Sequence, residues 1–178
     1  MADDVGSDGA APSQNSTSGT QNGPARVLLV DDDRDLLRGL TLRLSSAGYQ
    51  VQTASDGEEA LDRLGQAKPV ECVGAQPATL GVQNSASPPD AIVLDIRMPR
   101  MDGLTLLGHL RACPQTKAIP VIVISASVDG RTRKLAAELD ARFFLQKPCR
   151  TKDLLSALVS VTKPSAAAAA QVDDAGPG

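Results

Sequence analysis

The sequence predicts an α/β protein of three layers, α/β/α, in which helices cover both faces of a doubly wound, five-stranded parallel sheet. Short apolar runs alternate with amphipathic stretches along the chain, a pattern typical of β-α-β units around a parallel sheet. The aromatic content is only 2% and Trp is absent. Leu, Val, Ile and Ala must therefore form the core.

The apolar runs predict five strands, at 26–31, 49–54, 91–95, 120–125 and 142–146. After the first strand, an apolar face at helical spacing predicts the first helix, with Leu36, Leu37, Leu40 and Leu44 on that face. Gly48 is expected to adopt the left-handed conformation that commonly ends such a helix.

Four further helices alternate with the remaining strands. The second begins at Asp56, a candidate N-cap, and two Glu in its first turn favour the positive end of the helix. The third follows Gly103, the fourth follows Gly130, and the fifth follows Pro148. Each strand is thus paired with a helix of its own.

Composition divides the chain into one domain and two tails. Residues 1–24 lack the apolar surface that offsets the entropy of ordering, so we expect a disordered N-terminal tail. The same reasoning predicts a disordered, Ala-rich tail at 163–178 and leaves a domain at 25–162. Within it, an insertion at about 65–90 is roughly twenty residues longer than a helix-to-strand connection needs. We expect it at the amino edge of the sheet.

Charge and cysteine content exclude several classes of function. The formal net charge is −3 and basic blocks are absent, so no nucleic-acid partner is expected. No apolar run approaches the length of a membrane span. Three cysteines without metal-ligand spacing are typical of free thiols in a reducing compartment. We therefore expect a cytoplasmic protein without a membrane partner.

Reactive side chains follow the predicted strands. The first strand ends in Asp31 and Asp32, the third in Asp95, the fourth in Ser125, and the fifth in Gln146 followed by Lys147. Because the carboxyl ends of parallel strands meet at one edge of a sheet, these side chains are expected to converge.

This set of residue types suits phosphoryl transfer. Clustered carboxylates bind a hard cation such as Mg²⁺, which neutralises charge on a transferring phosphoryl group. A further carboxylate can act as nucleophile and form an aspartyl-phosphate. A lysine ammonium and a serine hydroxyl can contact phosphoryl oxygens.

Four segments in order resemble the receiver domain of two-component response regulators: "LLVDDDRDLL", "VLDIRMPRMDG", "VIVISAS" and "FFLQKP". The resemblance covers about 25–162, apart from the insertion. It implies a flavodoxin-like strand order, 2-1-3-4-5, and a phosphorylation-dependent switch. It also implies that the chain catalyses only its own phosphorylation and dephosphorylation, and is otherwise not an enzyme.

The resemblance implies roles for individual residues. Asp95 is the expected phosphoacceptor, and Mg²⁺ is expected on Asp32, Asp95 and the backbone carbonyl of Arg97, with Asp31 acting through a bound water. Asp33 is expected only to cap a helix.

Further roles concern the phosphoryl group and the switch. Ser125 and Lys147 are expected to contact the phosphoryl group, and Ser125 and Phe144 to form the switch. A cis bond is expected between Lys147 and Pro148. Asp140 stands where the family often has Gly, and Asp tolerates left-handed geometry.

The partners implied are a sensor histidine kinase or a histidine phosphotransfer protein, and a downstream target protein of unknown identity. No effector segment is recognised after residue 162, so the sequence is interpreted as a stand-alone, chemotaxis-regulator-like receiver.

Two alternatives remain open. A phosphatase of the haloacid dehalogenase type would use Asp31 as nucleophile, with Asp33, Ser125 and Lys147 in its motifs, but it leaves "DIRMPRMDG" unexplained. A binding module of the same fold would signal without phosphorylation. Replacing Asp95 separates all three hypotheses.

Overall fold

The computed structural model describes residues 23–65, 88–126 and 129–162. Its strands are β1 (Arg26–Val30), β2 (Gln50–Ala54), β3 (Ala91–Asp95), β4 (Val121–Ser125) and β5 (Phe143–Gln146). Its helices are α1 (Arg34–Ser46), α2 (Gly57–Arg63), α3 (Gly103–Ala112), α4 (Gly130–Glu138) and α5 (Thr151–Val161). The predicted elements are confirmed in type and order, with bounds that differ by one or two residues where they differ.

All five strands are parallel and lie in the order β2-β1-β3-β4-β5, which confirms the predicted topology. The register places Val30 of β1 beside Leu94 of β3. The residues that follow β1 therefore lie beside Asp95, the last residue of β3. This adjacency determines where the site forms.

Two apolar layers flank the sheet. On one face, α1 and α5 pack through Leu40, Leu44, Leu154 and Leu158, all nearly inaccessible to solvent. On the other face, α2 and α3 pack against the sheet through Leu61, Leu106, Leu107 and Leu110. The central strands β3 and β4 are buried over their whole length, as expected of strands covered on both sides.

Aspartates cap the first four helices. Asp33, Asp56, Asp102 and Asp129 each accept a hydrogen bond from a backbone N–H in the first turn. The predicted capping roles of Asp33 and Asp56 are thus confirmed. Gly48 has φ 87° and Asp140 has φ 56°, so both adopt the left-handed geometry expected of them.

Several predictions concern residues outside the described ranges. These are the Ala-rich tail, nearly all of the N-terminal tail, and residues 66–87 of the insertion. Over the three described ranges, none of the helices combines the length and the apolar character that a membrane span requires.

Gly103, at the start of α3, lies against the strand that carries Asp95. A Cβ atom at this position would lie 2.1 Å from the Asp95 carbonyl oxygen and 2.8 Å from the Ile96 Cα. Both neighbours are backbone atoms, so a larger residue forces α3 away from β3. Gly108, one turn and a half later in α3, has open space at the same atom.

We predict opposite effects from alanine at these two glycines. Gly103→Ala should lower the free energy of unfolding by about 2 kcal/mol or more, because it overpacks backbone against backbone. Gly108→Ala should raise it by about 0.5 to 1 kcal/mol, since alanine has the better helix propensity. Urea unfolding measures both, and equal effects at the two sites would contradict the close approach of α3 to β3.

Candidate functional site

Three carboxylates meet at the carboxyl edge of the sheet. Asp31 and Asp32 follow β1, Asp95 ends β3, and one ligand oxygen from each lies within 4.8 Å of the others. Asp31 and Asp95 are each 5% exposed, whereas Asp32 is open to solvent. The predicted convergence of these aspartates is confirmed.

Lys147 brings a positive charge into this cluster from the far side of the sheet. Its Nζ donates to Asp31 Oδ2 at 2.6 Å and lies 3.1 Å from Asp95 Oδ1. The Lys147 backbone N–H donates to the Ser125 carbonyl at 2.9 Å, and the bond to Pro148 is cis, as expected. One ammonium thus serves two buried carboxylates.

The remaining predicted residues lie on β4, on β5 and in the loop after β3. Ser125 ends β4, next to β3, and is fully buried. Phe144 lies in β5 and is half-buried, with the Arg133 guanidinium 5.8 Å from its ring centroid. Arg97 lies in the loop after β3, and its side chain is exposed.

Burial and charge act in opposite directions on the pKa of Asp95 and on that of Lys147. Burial raises the pKa of Asp95 above its usual range, and Asp31 adds to the rise, while Lys147 opposes it. Burial alone would lower the pKa of Lys147, but hydrogen bonding and charge from Asp31 and Asp95 outweigh burial and raise it. Lys147 is therefore an ammonium throughout the physiological range.

The donor set fits a hard divalent cation. Carboxylate oxygens are the ligands that Mg²⁺ prefers, and it binds them at about 2.1 Å, so opposite ligands lie about 4.2 Å apart. The three ligand oxygens lie within 4.8 Å of one another, close enough to share one such ion.

An ion pair beside the site was missed by the sequence reasoning. Arg100 contacts the carboxylate of Asp56, which is only 2% exposed. Asp56 follows β2, the neighbour of β1, so its place at the same edge of the sheet was available as a signal. The sequence carried no signal that Arg100 is the partner of Asp56, because Arg100 lies in a loop.

Residues 27–159 match the family described as the response regulator receiver domain. The chain belongs to this family. Receiver domains are generally not enzymes in the usual sense, and this assignment accounts for "DIRMPRMDG", which the phosphatase alternative leaves unexplained.

Curated response regulators are similar to this receiver domain in sequence. Response regulator MprA of Mycobacterium tuberculosis is 35% identical over 146 residues, which are 80% of this chain and 54% of the relative. Response regulator MprA of Mycolicibacterium vanbaalenii is 34% identical over 133 residues, 75% of this chain and 48% of the relative. The chain thus spans about half the length of these relatives.

Solved receiver structures share the fold. Chemotaxis protein CheY4 of Vibrio cholerae has a TM-score of 0.63 and 27% identity, covering 78% of this chain and 99% of that one. The phosphorylated cyanobacterial phytochrome response regulator RcpA has a TM-score of 0.60 and 27% identity, covering 74% and 86%. Both extend over nearly all of the described domain.

We predict that Asp32 lowers the thermal stability of the domain when no metal is bound. Without a cation, three carboxylates share one ammonium, so Asp32→Ala should raise the thermal midpoint by a few degrees and abolish the stabilisation by Mg²⁺. Exposure of Asp32 to solvent keeps the rise small. Asp35→Ala, an exposed acid one turn away, is the control and should retain the Mg²⁺ response. A lowered midpoint with the response intact would make Asp32 purely structural.

Proposed function

We propose that this receiver domain is a phosphorylation-dependent switch in which Asp95 accepts a phosphoryl group from a histidine kinase or a histidine phosphotransfer protein. The carrying observation is the position of Asp95: it ends β3, is 5% exposed, belongs to a three-carboxylate cluster and lies 3.1 Å from Lys147. The structure of the similar RcpA is that of a phosphorylated response regulator, which supports phosphorylation of this domain.

In the proposed reaction, a carboxylate oxygen of Asp95 attacks the phosphorus of a phosphohistidine. A P–O bond forms to Asp95 as the P–N bond breaks, and the electron pair leaves with the imidazole. Lys147 supports this step in two ways. It favours the ionised form of Asp95 against burial, and its ammonium is close enough to contact a phosphoryl oxygen carried on Asp95.

Asp31, Asp32, Asp95 and the Arg97 carbonyl would hold Mg²⁺ in this scheme. The ion would supply positive charge to the phosphoryl oxygens during transfer. Asp31 is the carboxylate best suited to act through water, since its oxygens already accept from Lys147 and from the Asp33 N–H at 3.0 Å. In the same scheme the chain catalyses its own phosphorylation and dephosphorylation.

The output of the switch would be an altered surface around α4, β5 and α5. Ser125 would contact the phosphoryl group, and Phe144 would respond to it by changing its burial. Phe143 and Leu135, on β5 and α4, are 36% and 40% exposed and would be available to a target protein. The net charge of −3 favours a protein target over nucleic acid, and the free thiols Cys113 and Cys149 fit a reducing cytoplasm.

The boundaries of the domain are part of the proposal. The proposed receiver unit spans 25–162, and the family match at 27–159 supports these bounds. The insertion at about 65–90 would then be an addition to the family pattern.

We predict that a small phosphodonor with Mg²⁺ adds one phosphoryl group, and that Asp95→Asn abolishes it. Asp31→Asn should slow the reaction without abolishing it, because Asp31 positions the metal and is not the nucleophile. Asp90→Asn, an exposed acid before β3 at the opposite edge, is the matched control and should react as the wild type does. Intact-mass spectrometry with stopped time points measures all four proteins.

Three results would contradict the proposal. Single labelling that persists in Asp95→Asn would exclude Asp95 as acceptor, and loss only in Asp31→Asn would favour the phosphatase alternative. An unlabelled wild type that binds its target regardless of phosphodonor would favour the phosphorylation-independent module.

A further inference from the structure

A fourth acid lies at the same sheet edge as the candidate site. Asp56 follows β2, which pairs with β1, and its side chain is only 3% exposed. A buried carboxylate without a partner is costly. The cation that contacts Asp56 is Arg100, whose own side chain is 58% exposed.

Arg100 lies in the loop that connects Asp95 to α3. Its φ is 65°, a left-handed conformation that is uncommon for a residue other than Gly, Asn or Asp. The loop returns on itself, since the Met101 N–H donates to the Pro99 carbonyl and the Gly103 N–H to the Ile96 carbonyl, each at 2.8 Å. Arg97 lies in the segment of the loop that the hydrogen bond between Gly103 and Ile96 closes.

A second contact joins Gly57 to Met101, the residues that directly follow Asp56 and Arg100 in the sequence. Gly57, the first residue of α2, faces Met101 so closely that a Cβ atom would lie 2.7 Å from the Met101 side chain. Asp56 and Gly57, the N-cap and the first residue of α2, thus meet Arg100 and Met101, two consecutive residues of the loop. We name these four residues, Asp56, Gly57, Arg100 and Met101, the loop clamp.

We propose that the loop clamp makes Asp56 and Arg100 positioning residues for phosphorylation. The ion pair fixes the loop at 96–102 in the conformation that presents the Arg97 carbonyl to the acidic cluster. It also gives the buried carboxylate of Asp56 a partner of opposite charge. The link to Mg²⁺ rests on the proposed function, whereas the hold on the loop does not.

A purely structural role for Asp56 has a different signature. Its Oδ1 accepts from the Glu59 N–H at 2.9 Å and so caps α2. Asp56→Asn retains an oxygen for the cap and removes the charge that pairs with Arg100. Arg100→Asn removes the cation while keeping a residue that tolerates the left-handed conformation. These two variants therefore separate the ion pair from the cap and from the backbone geometry.

The first experiment is amide hydrogen exchange by nuclear magnetic resonance on the full chain without Mg²⁺. We expect protection of the Met101 and Gly103 amides to fall about tenfold in each variant, because both amides bond within the clamped loop. Protection in β4 should change less than twofold. Unchanged protection at Met101 and Gly103, or an equal fall throughout the domain, would overturn the loop clamp.

The second experiment follows phosphorylation by a small phosphodonor across a Mg²⁺ titration. Each variant should raise the Mg²⁺ concentration for half-maximal rate about three- to tenfold, with the rate at saturating Mg²⁺ within about twofold. The double variant should match the single ones, because both remove one interaction. Arg38→Met, which breaks the exposed pair of Arg38 with Asp35 on α1, is the control and should leave the titration unchanged.

The outcomes distinguish the loop clamp from the proposed function. A wild type that is not labelled on Asp95 refutes the proposed function, and hydrogen exchange still decides whether the clamp holds the loop. Normal labelling with an unshifted Mg²⁺ titration, or with additive effects of the two variants, refutes the positioning role.

Discussion

The contact of one ammonium with two buried carboxylates is the interaction on which the site depends. Asp31 and Asp95 lie on adjacent strands and are almost removed from solvent, so their mutual repulsion is poorly screened. Lys147 lies between them and satisfies both. The Lys147 ammonium therefore offsets the repulsion between the two carboxylates in the folded protein. The same ammonium would also be close enough to contact the phosphoryl group proposed on Asp95.

This contact joins residues that are far apart in the sequence. Lys147 is 116 residues from Asp31, and the parallel direction of the strands brings the end of β5 to the same edge of the sheet as the end of β1. The backbone of Lys147 is tied to β4 through the Ser125 carbonyl. Any change in the position of Lys147 is therefore felt by β4 and β5 together, and these strands border the surface proposed to signal.

Sequence patterns were sufficient for the parts of the molecule that repeat a simple rule. Alternating apolar runs predicted all five strands, and residue types with strong local preferences, such as Asp56 and Gly48, marked helix ends. The acidic cluster was predictable because strand ends share an edge. The roles assigned to Ser125, Arg97 and Phe144 came from family resemblance and remain predictions.

Contacts between loops were beyond such reasoning. The pair of Asp56 with Arg100 depends on a left-handed arginine, and nothing in the residue type signals that conformation. The contact of Arg133 with the Phe144 ring likewise depends on how α4 lies against β5. Side chains that meet through irregular backbone carry no periodic signature, so only coordinates reveal them.

The uneven packing of the helices indicates where a signal can emerge. Helix α3 buries four residues against the sheet, including Leu106, Leu107 and Leu110, whereas α4 buries only Ala136. Local opening costs less where fewer apolar contacts are lost, so α4 is the element that can shift at low cost while α3 stays fixed to β3. Since Arg133 of α4 rests over Phe144, a change in the burial of that ring would act directly on this weakly held helix. In the proposed switch, the loop at 96–102 would hold the site in place, and the loosely packed α4 would transmit the signal.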